Sequence, residues 1–182
     1  MSKETYNFAS KLHLAASKDE LRPVMGCIHF INGYAYVSDG YILIKQNLIY
    51  SSILDSENLE GKSLHRDTFK EVLVYDTVTA KKDGLECTDN EGRKTFFAYQ
   101  AHDKERIPNF EKLLEDFEVN PVEFIGFKPS FLKVICDSIF GAKEFGVKVQ
   151  FNGISKGMLI SVPGFDEQQA FLMPLLLNET LF

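Results

Sequence analysis

No stretch of this sequence approaches the roughly 18 consecutive apolar residues that a membrane-spanning helix needs, so no membrane partner is expected. The start, Met1-Ser2-Lys3-Glu4, lacks the basic cluster and apolar run of a secretory signal, and a cytoplasmic location is expected. Cysteine is scarce. Cys27, Cys87 and Cys136 stand far apart beside apolar neighbours, with no CxxC pair, and read as small buried hydrophobes in a reducing compartment. His13, His29, His65 and His102 have no second histidine or cysteine at metal-ligand spacing, so no metal site is expected. Nucleophile elbow, phosphate loop and dinucleotide fingerprint are all missing, so neither a cofactor nor an enzyme is expected. The run Glu115, Asp116 and Glu118 reads as a solvated turn, since catalytic carboxylate pairs usually come from separate elements. An excess of positive charge is missing too. The net charge of −6 excludes a simple basic nucleic-acid binder, although one face can still be less acidic than the rest.

What is present is an ordinary globular composition, 45% hydrophobic and 25% charged, over 182 residues. That length holds one good domain, or about one and a half small ones. One pattern recurs along it: helix, strand, Gly turn, strand, second turn, strand. The first copy opens with a helix over Tyr6 to Ser17, where Phe8, Leu12 and Ala15 share a face, and Arg22-Pro23 ends that element. Strands follow at Gly26 to Ile31, Tyr34 to Ser38 and Tyr41 to Leu48, joined by Asn32-Gly33 and Asp39-Gly40. The second copy opens near Ser63. Phe69, Val72 and Leu73 make a helical face over about three turns. Strands at Thr77 to Lys81, Leu85 to Thr88 and Lys94 to Tyr99 follow, turning at Asp83-Gly84 and Glu91-Gly92. The third copy opens with a strand at Val122 to Ile125. Pro129 then starts a helix in which Phe131, Ile135 and Ile139 share a face. Its strands are Gly146 to Phe151, Ile154 to Val162 and Ala170 to Leu177, with turns at Asn152-Gly153 and Pro163-Gly164. The stretches Tyr50 to Gly61 and Gln100 to Asn120 are polar and irregular. The expected class is α+β, with repeated βαβββ units whose antiparallel sheets are backed by helices.

Four segments carry a resemblance to a known family. They are Leu21-Arg22-Pro23-Val24-Met25-Gly26, Val37-Ser38-Asp39-Gly40-Tyr41-Ile42-Leu43, Arg106-Ile107-Pro108-Asn109-Phe110, and Phe171-Leu172-Met173-Pro174-Leu175-Leu176-Leu177. In this order they resemble the bacterial DNA polymerase III beta subunit, the sliding clamp: its Arg-containing strand approach, its Thr-Asp-Gly-His-Arg-Leu turn, its Phe-Pro-Asp-Tyr linker and its terminal Val-Met-Pro-Met-Arg-Leu strand. The resemblance implies that 1–117 form a clamp-type domain of two half-repeats, and that 118–182 form a third half-repeat like the second half of the last clamp domain. It further implies a DNA-clamp fold acting in replication or repair, which holds DNA polymerase or other proteins by a short apolar peptide. Carried over one by one, the peptide-binding positions are Met25, Ser38, Gly40, Tyr41, Leu43, Pro108, Lys112, Leu113, Phe171, Met173 and Pro174. Such a surface of Met, Leu, Pro and aromatic side chains suits an apolar guest. The chain departs from the family where His-Arg of the turn is Tyr41-Ile42 and the terminal Arg is Leu176, both making the pocket more apolar.

The resemblance also implies double-stranded DNA against the helices, contacted without sequence preference. The DNA-facing candidates are Lys11, Arg22, Arg66, Lys70 and Lys133, diluted by neighbouring Asp19, Glu20, Asp67, Glu71 and Asp137. An open third unit leaves a sheet edge to cover, so a homo-oligomer is expected. The alternative is a clamp-fold peptide-binding module or regulator that does not encircle DNA. At the far end, Leu181-Phe182 resembles the ending of clamp-binding peptides, which makes the tail a candidate ligand for a neighbouring copy or for a full-length clamp.

Overall fold

The computed structural model describes residues 10–101 and 107–175. Among these, ten strands form two antiparallel sheets. The larger sheet has the order β4-β1-β2-β3-β10-β9-β8. Its strands are β1 (Cys27–Ile31), β2 (Tyr34–Ser38), β3 (Ile42–Asn47), β4 (Ser63–His65), β8 (Lys148–Phe151), β9 (Met158–Val162) and β10 (Phe165–Leu172). The smaller sheet is β5 (Thr77–Ala80), β6 (Gly84–Thr88) and β7 (Lys94–Ala98). The helices are α1 (Arg66–Val72), α2 (Phe110–Glu115), α3 (Pro129–Ser138) and the single turn α4 (Ala142–Phe145). The expected α+β class with helix-backed antiparallel sheets is what the chain adopts.

Period-two alternation sorts the large sheet into two faces. Ile28, Phe30, Ala35, Val37, Ile42, Ile44, Ala170 and Leu172 point to one side and build the main core with Phe69 of α1 and Ile135 of α3. Tyr36, Leu43 and Phe171 point to the other side and form a second apolar cluster with Phe110 of α2. The turn at Asn32-Gly33 has φ of 52° and 77°, the left-handed pair that a two-residue hairpin needs, and it pairs Ile31 with Tyr34.

Several boundaries differ from expectation. The helix expected over Tyr6 to Ser17 is, among the described residues, one 3-10 turn at Leu12–Ala15, and residues 1–9 lie outside them. Leu12 and Ala15 are three apart, the spacing that eclipses in a 3-10 helix, so both are buried by one turn. Helix α1 closes after seven residues because Val74 to Thr77 lead straight into β5. Val122 to Ile125 form no strand. Pro121 precedes them, and this stretch meets the sheet only through isolated bridges of Asn120 with Asn152 and Gly126 with Leu175. Strand β9 starts at Met158 instead of Ile154, after a loop ending in Gly157. Strand β10 starts at Phe165, immediately after the Pro163-Gly164 turn, and stops before Pro174, which has no N–H to donate. Its register shifts between Phe165 and Gln169, and within that shift the buried Gln168 exchanges two hydrogen bonds with the Phe140 backbone, at 3.1 and 2.5 Å.

Candidate peptide groove and cation face

Strands β3 and β10, far apart in sequence, are neighbours in the sheet, with Leu43 opposite Phe171. This pair, 3% and 5% exposed, floors a groove of about 200 Å³. Beyond Leu172 the pairing continues as the Met173 N–H donates to the Tyr41 carbonyl at 2.8 Å. That bond brings Met173 beside the Ser38–Tyr41 turn. The turn holds itself. Ser38 Oγ accepts from the Gly40 N–H at 3.0 Å, and Asp39 Oδ1 accepts from the N–H groups of Tyr41 and Ile42. Gly40 sits at φ +95°, where a side chain would be strained. Tyr41, 57% exposed, stacks on Phe131 of α3 with ring centroids 5.3 Å apart.

Met25 reaches the groove from a 3-10 turn, Pro23–Gly26. His29 of β1 pins that turn: its Nε2 donates to the Val24 carbonyl at 2.9 Å, which leaves Nδ1 to accept from the Ser63 hydroxyl at 2.8 Å. The outer wall is Pro108 followed by α2, whose N-terminus is capped by Asn109 Oδ1 accepting from the Lys112 N–H. Phe110 stacks on Tyr36 at 5.6 Å. Glu111 accepts the Tyr36 hydroxyl proton bond and pairs with Lys45 Nζ at 3.2 Å. Hydrogen bonding to Tyr36, then to Lys45, holds the Glu111 carboxyl below the usual range, while burial and this same carboxylate push the Tyr36 hydroxyl up.

Of the eleven peptide-binding positions expected from the sequence, nine line this one groove: Met25, Ser38, Gly40, Tyr41, Leu43, Pro108, Leu113, Phe171 and Met173. Lys112 and Pro174 do not. Lys112 is exposed on α2, and Pro174 continues past Met173. Ile42, Asn109 and Phe110 line it without having been singled out. Asn109 and Phe110 stand in the linker segment already quoted, where an Asn before a helical run is a capping signal. Ile42 belongs to the opposite, core-facing set and reaches the groove only at the turn.

The expected DNA-facing cations divide. The 3-10 turn at Leu12–Ala15 packs against both α1 and α3. Lys11, Arg66 and Lys70 gather there around His13. Burial first, then Lys70, Lys11 and Arg66, push the His13 imidazole below its usual value, opposed by Asp67. Arg66 is half-buried, 3.5 Å from both the Ser17 carbonyl and the Asp67 carboxylate. Lys133 on α3 pairs with Asp137, which also takes Lys143 at 2.9 Å, and these two lysines bring the Asp137 carboxyl down to about 2. Arg22 does not join them. It pairs with Asp19 at 3.0 Å and lies over Gly40, at the groove. The Leu181-Phe182 tail lies outside the described residues. Among the described residues no helix is long and apolar enough to cross a membrane, and no three His, Cys, Asp or Glu side chains gather as metal ligands would.

Two helix-backed antiparallel sheets, with a linker and short helix laid across the seam of β3 and β10, define a protein of the DNA-clamp fold. Solved structures similar to this chain include bacterial DNA polymerase sliding clamps. The chain is similar to the Bacillus subtilis clamp with a TM-score of 0.62 and 11% identity over 96% of this chain and 64% of that one. It is similar to the Caulobacter crescentus beta clamp with a TM-score of 0.62 and 14% identity, over 97% and 67%. The Pseudomonas aeruginosa clamp gives 0.59 and 14%, over 92% and 64%. The resemblance expected from the four segments therefore holds at the level of fold. The chain spans about 64% of the length of the clamps from Bacillus and Pseudomonas. No family model matches the sequence, and no curated protein does.

Proposed function

We propose that this protein is a docking platform of the sliding-clamp kind, a binding protein and not an enzyme, which serves DNA replication or repair. It holds DNA polymerase or another partner by a short apolar peptide seated on Leu43 and Phe171. The observation that carries this reading is the convergence of nine residues from four separate stretches of the chain on one groove at the β3–β10 seam. In the same reading 1–117 and 118–182 are two parts, and the floor pairs Leu43 of one with Phe171 of the other. The Caulobacter clamp, similar in fold, has been crystallised with polyethylene glycol at a region proposed to tether beta-motifs, a further sign that this fold receives chain-like guests. An apolar anchor that buries its side chain contributes a few kcal/mol at about 25 cal/mol per Å² before ordering costs.

The test is fluorescence anisotropy with a labelled heptapeptide copying Leu176–Phe182, which ends in Leu-Phe. Saturable binding is expected. Leu113→Asp and Met173→Asp, at positions 44% and 39% exposed that tolerate a charge in the fold, are each expected to weaken it about tenfold. Absence of saturable binding, or equal binding by both variants, refutes the reading.

One observation favours a second reading, a clamp-fold module or regulator that never encircles DNA. Arg22, Arg66 and Lys133 all stand beside carboxylates, of Asp19, Asp67 and Asp137, which lowers the field they offer to phosphates. Duplex binding that falls with salt supports encirclement, and its absence supports the module.

A further inference from the structure

The wall of the groove is a short element. Helix α2 is six residues long, and Phe110 is the one residue it buries. On one side of this wall lies the groove, about 200 Å³. On the other lies a second hollow of about 400 Å³, reaching Ile31, Asn32 and Lys62, and sharing Pro108, Asn109 and Phe110 with the groove. A wall open to a hollow on either flank depends on its inward ties to the sheet for its position. Its apolar ties to the sheet are Phe110, stacked on Tyr36 and 6.1 Å from the His29 ring, and Leu114 and Phe117, packed on the same cluster; its polar tie is the carboxylate of Glu111. That carboxylate takes one bond from β2, through Tyr36, and one from β3, through Lys45. Lys45 is itself held, 4.2 Å over the Tyr34 ring, and the Tyr34 hydroxyl donates to Glu167 of β10 at 2.5 Å. The chain of contacts thus runs from α2 across β2, β3 and β10, the strands that floor the groove.

We propose that Glu111 is a positioning residue of the groove: by fastening α2 to Tyr36 and Lys45 it sets how far the Pro108 and Leu113 wall stands from the Leu43 and Phe171 floor. The proposal rests on the peptide-docking reading for its purpose, while its geometry is testable without any peptide. Glu111→Gln removes the charge that Lys45 pairs with. Tyr36→Phe removes the other bond and keeps the ring that Phe110 stacks on. Loss of either charge-assisted bond corresponds to about a tenfold shift in the equilibrium between held and released wall.

Hydrogen–deuterium exchange of residues 107–117 reads the wall directly. Exchange about tenfold faster than in the unmodified protein is expected for both variants, with protection of β2, β3 and β10 unchanged. The double variant is expected to exchange faster than either single one, because each removes a different bond to the same side chain. Glu115→Gln, an exposed position on the same helix, serves as the control and is expected to leave exchange unchanged. Affinity for the Leu176–Phe182 heptapeptide is expected to fall in Glu111→Gln and Tyr36→Phe alone. Should Glu111→Gln fail to fold, Lys45→Met removes one partner and replaces it. Wall exchange in the variants equal to the control overturns the proposal, as does faster exchange with unchanged peptide affinity. An unmodified protein that binds no peptide overturns the docking reading instead, and the exchange data then show whether the latch survives it.

Discussion

At the scale of single residues, the groove depends on where a side chain is missing. Gly157 sits at φ +119°, and a Cβ there would lie 2.4 Å from the ring of Phe171. Gly157→Ala is therefore expected to push that ring off the floor and destabilise the fold by about 1–3 kcal/mol, read as a lower midpoint in chemical denaturation. An unchanged midpoint would show that the loop relaxes around the methyl group. This glycine was not legible in the sequence, where Asn152-Gly153 carries the stronger turn signal and reads as the turn of a tight hairpin. The partner that makes Gly157 necessary comes from β10, and no local pattern reveals it. Met25, Leu43 and Met173, by contrast, were reached through the resemblance of the segments that hold them, not through any local pattern of their own.

At the scale of elements, the legible parts are those with local rules. The strands β1, β2, β5, β6 and β7 follow alternation bounded by turn residues, and α3 follows Pro129 and a 3.6-residue face. The miscalled parts are those that borrow their partners. Among the described residues the opening of the third copy meets strands only at isolated bridges, so Val122 to Ile125 do not become a strand although Ile125 packs on the core. The turn at Leu12–Ala15 is set by α1 and α3 on either side, which also bring Lys11, Arg66 and Lys70 around His13. That convergence gives a titration test. His13 has its folded pKa held below 6.5, so its neutral form is favoured by folding. This contribution is present above that value, and is lost as pH falls from 6.5 through the lower folded value. DNA phosphates over Lys70, Lys11 and Arg66 would offset the repulsion. The His13 midpoint, followed by NMR, is then expected to rise when duplex DNA is added at low salt. A midpoint indifferent to DNA removes these cations from any duplex contact.

At the scale of the whole molecule, the large sheet ends at β4 on one side and at β8 on the other, and the small one at β5 and β7. Mass in solution by light scattering is expected to exceed that of one chain if those edges are covered by further copies. Duplex DNA is expected to raise it further at low salt. A monomer without salt-sensitive DNA affinity leaves the non-encircling module as the reading.

The placing of β10 against β3 has a kinetic side. Leu43 leaves the ribosome long before Phe171, and their pairing closes a loop that takes in nearly everything between. The hairpin of β1 and β2 can form early, since it needs only its own turn. The floor of the groove cannot exist until β10 has been made and returns to β3, so under the docking reading a nascent chain stays silent to a guest peptide until Phe171 has followed Leu43.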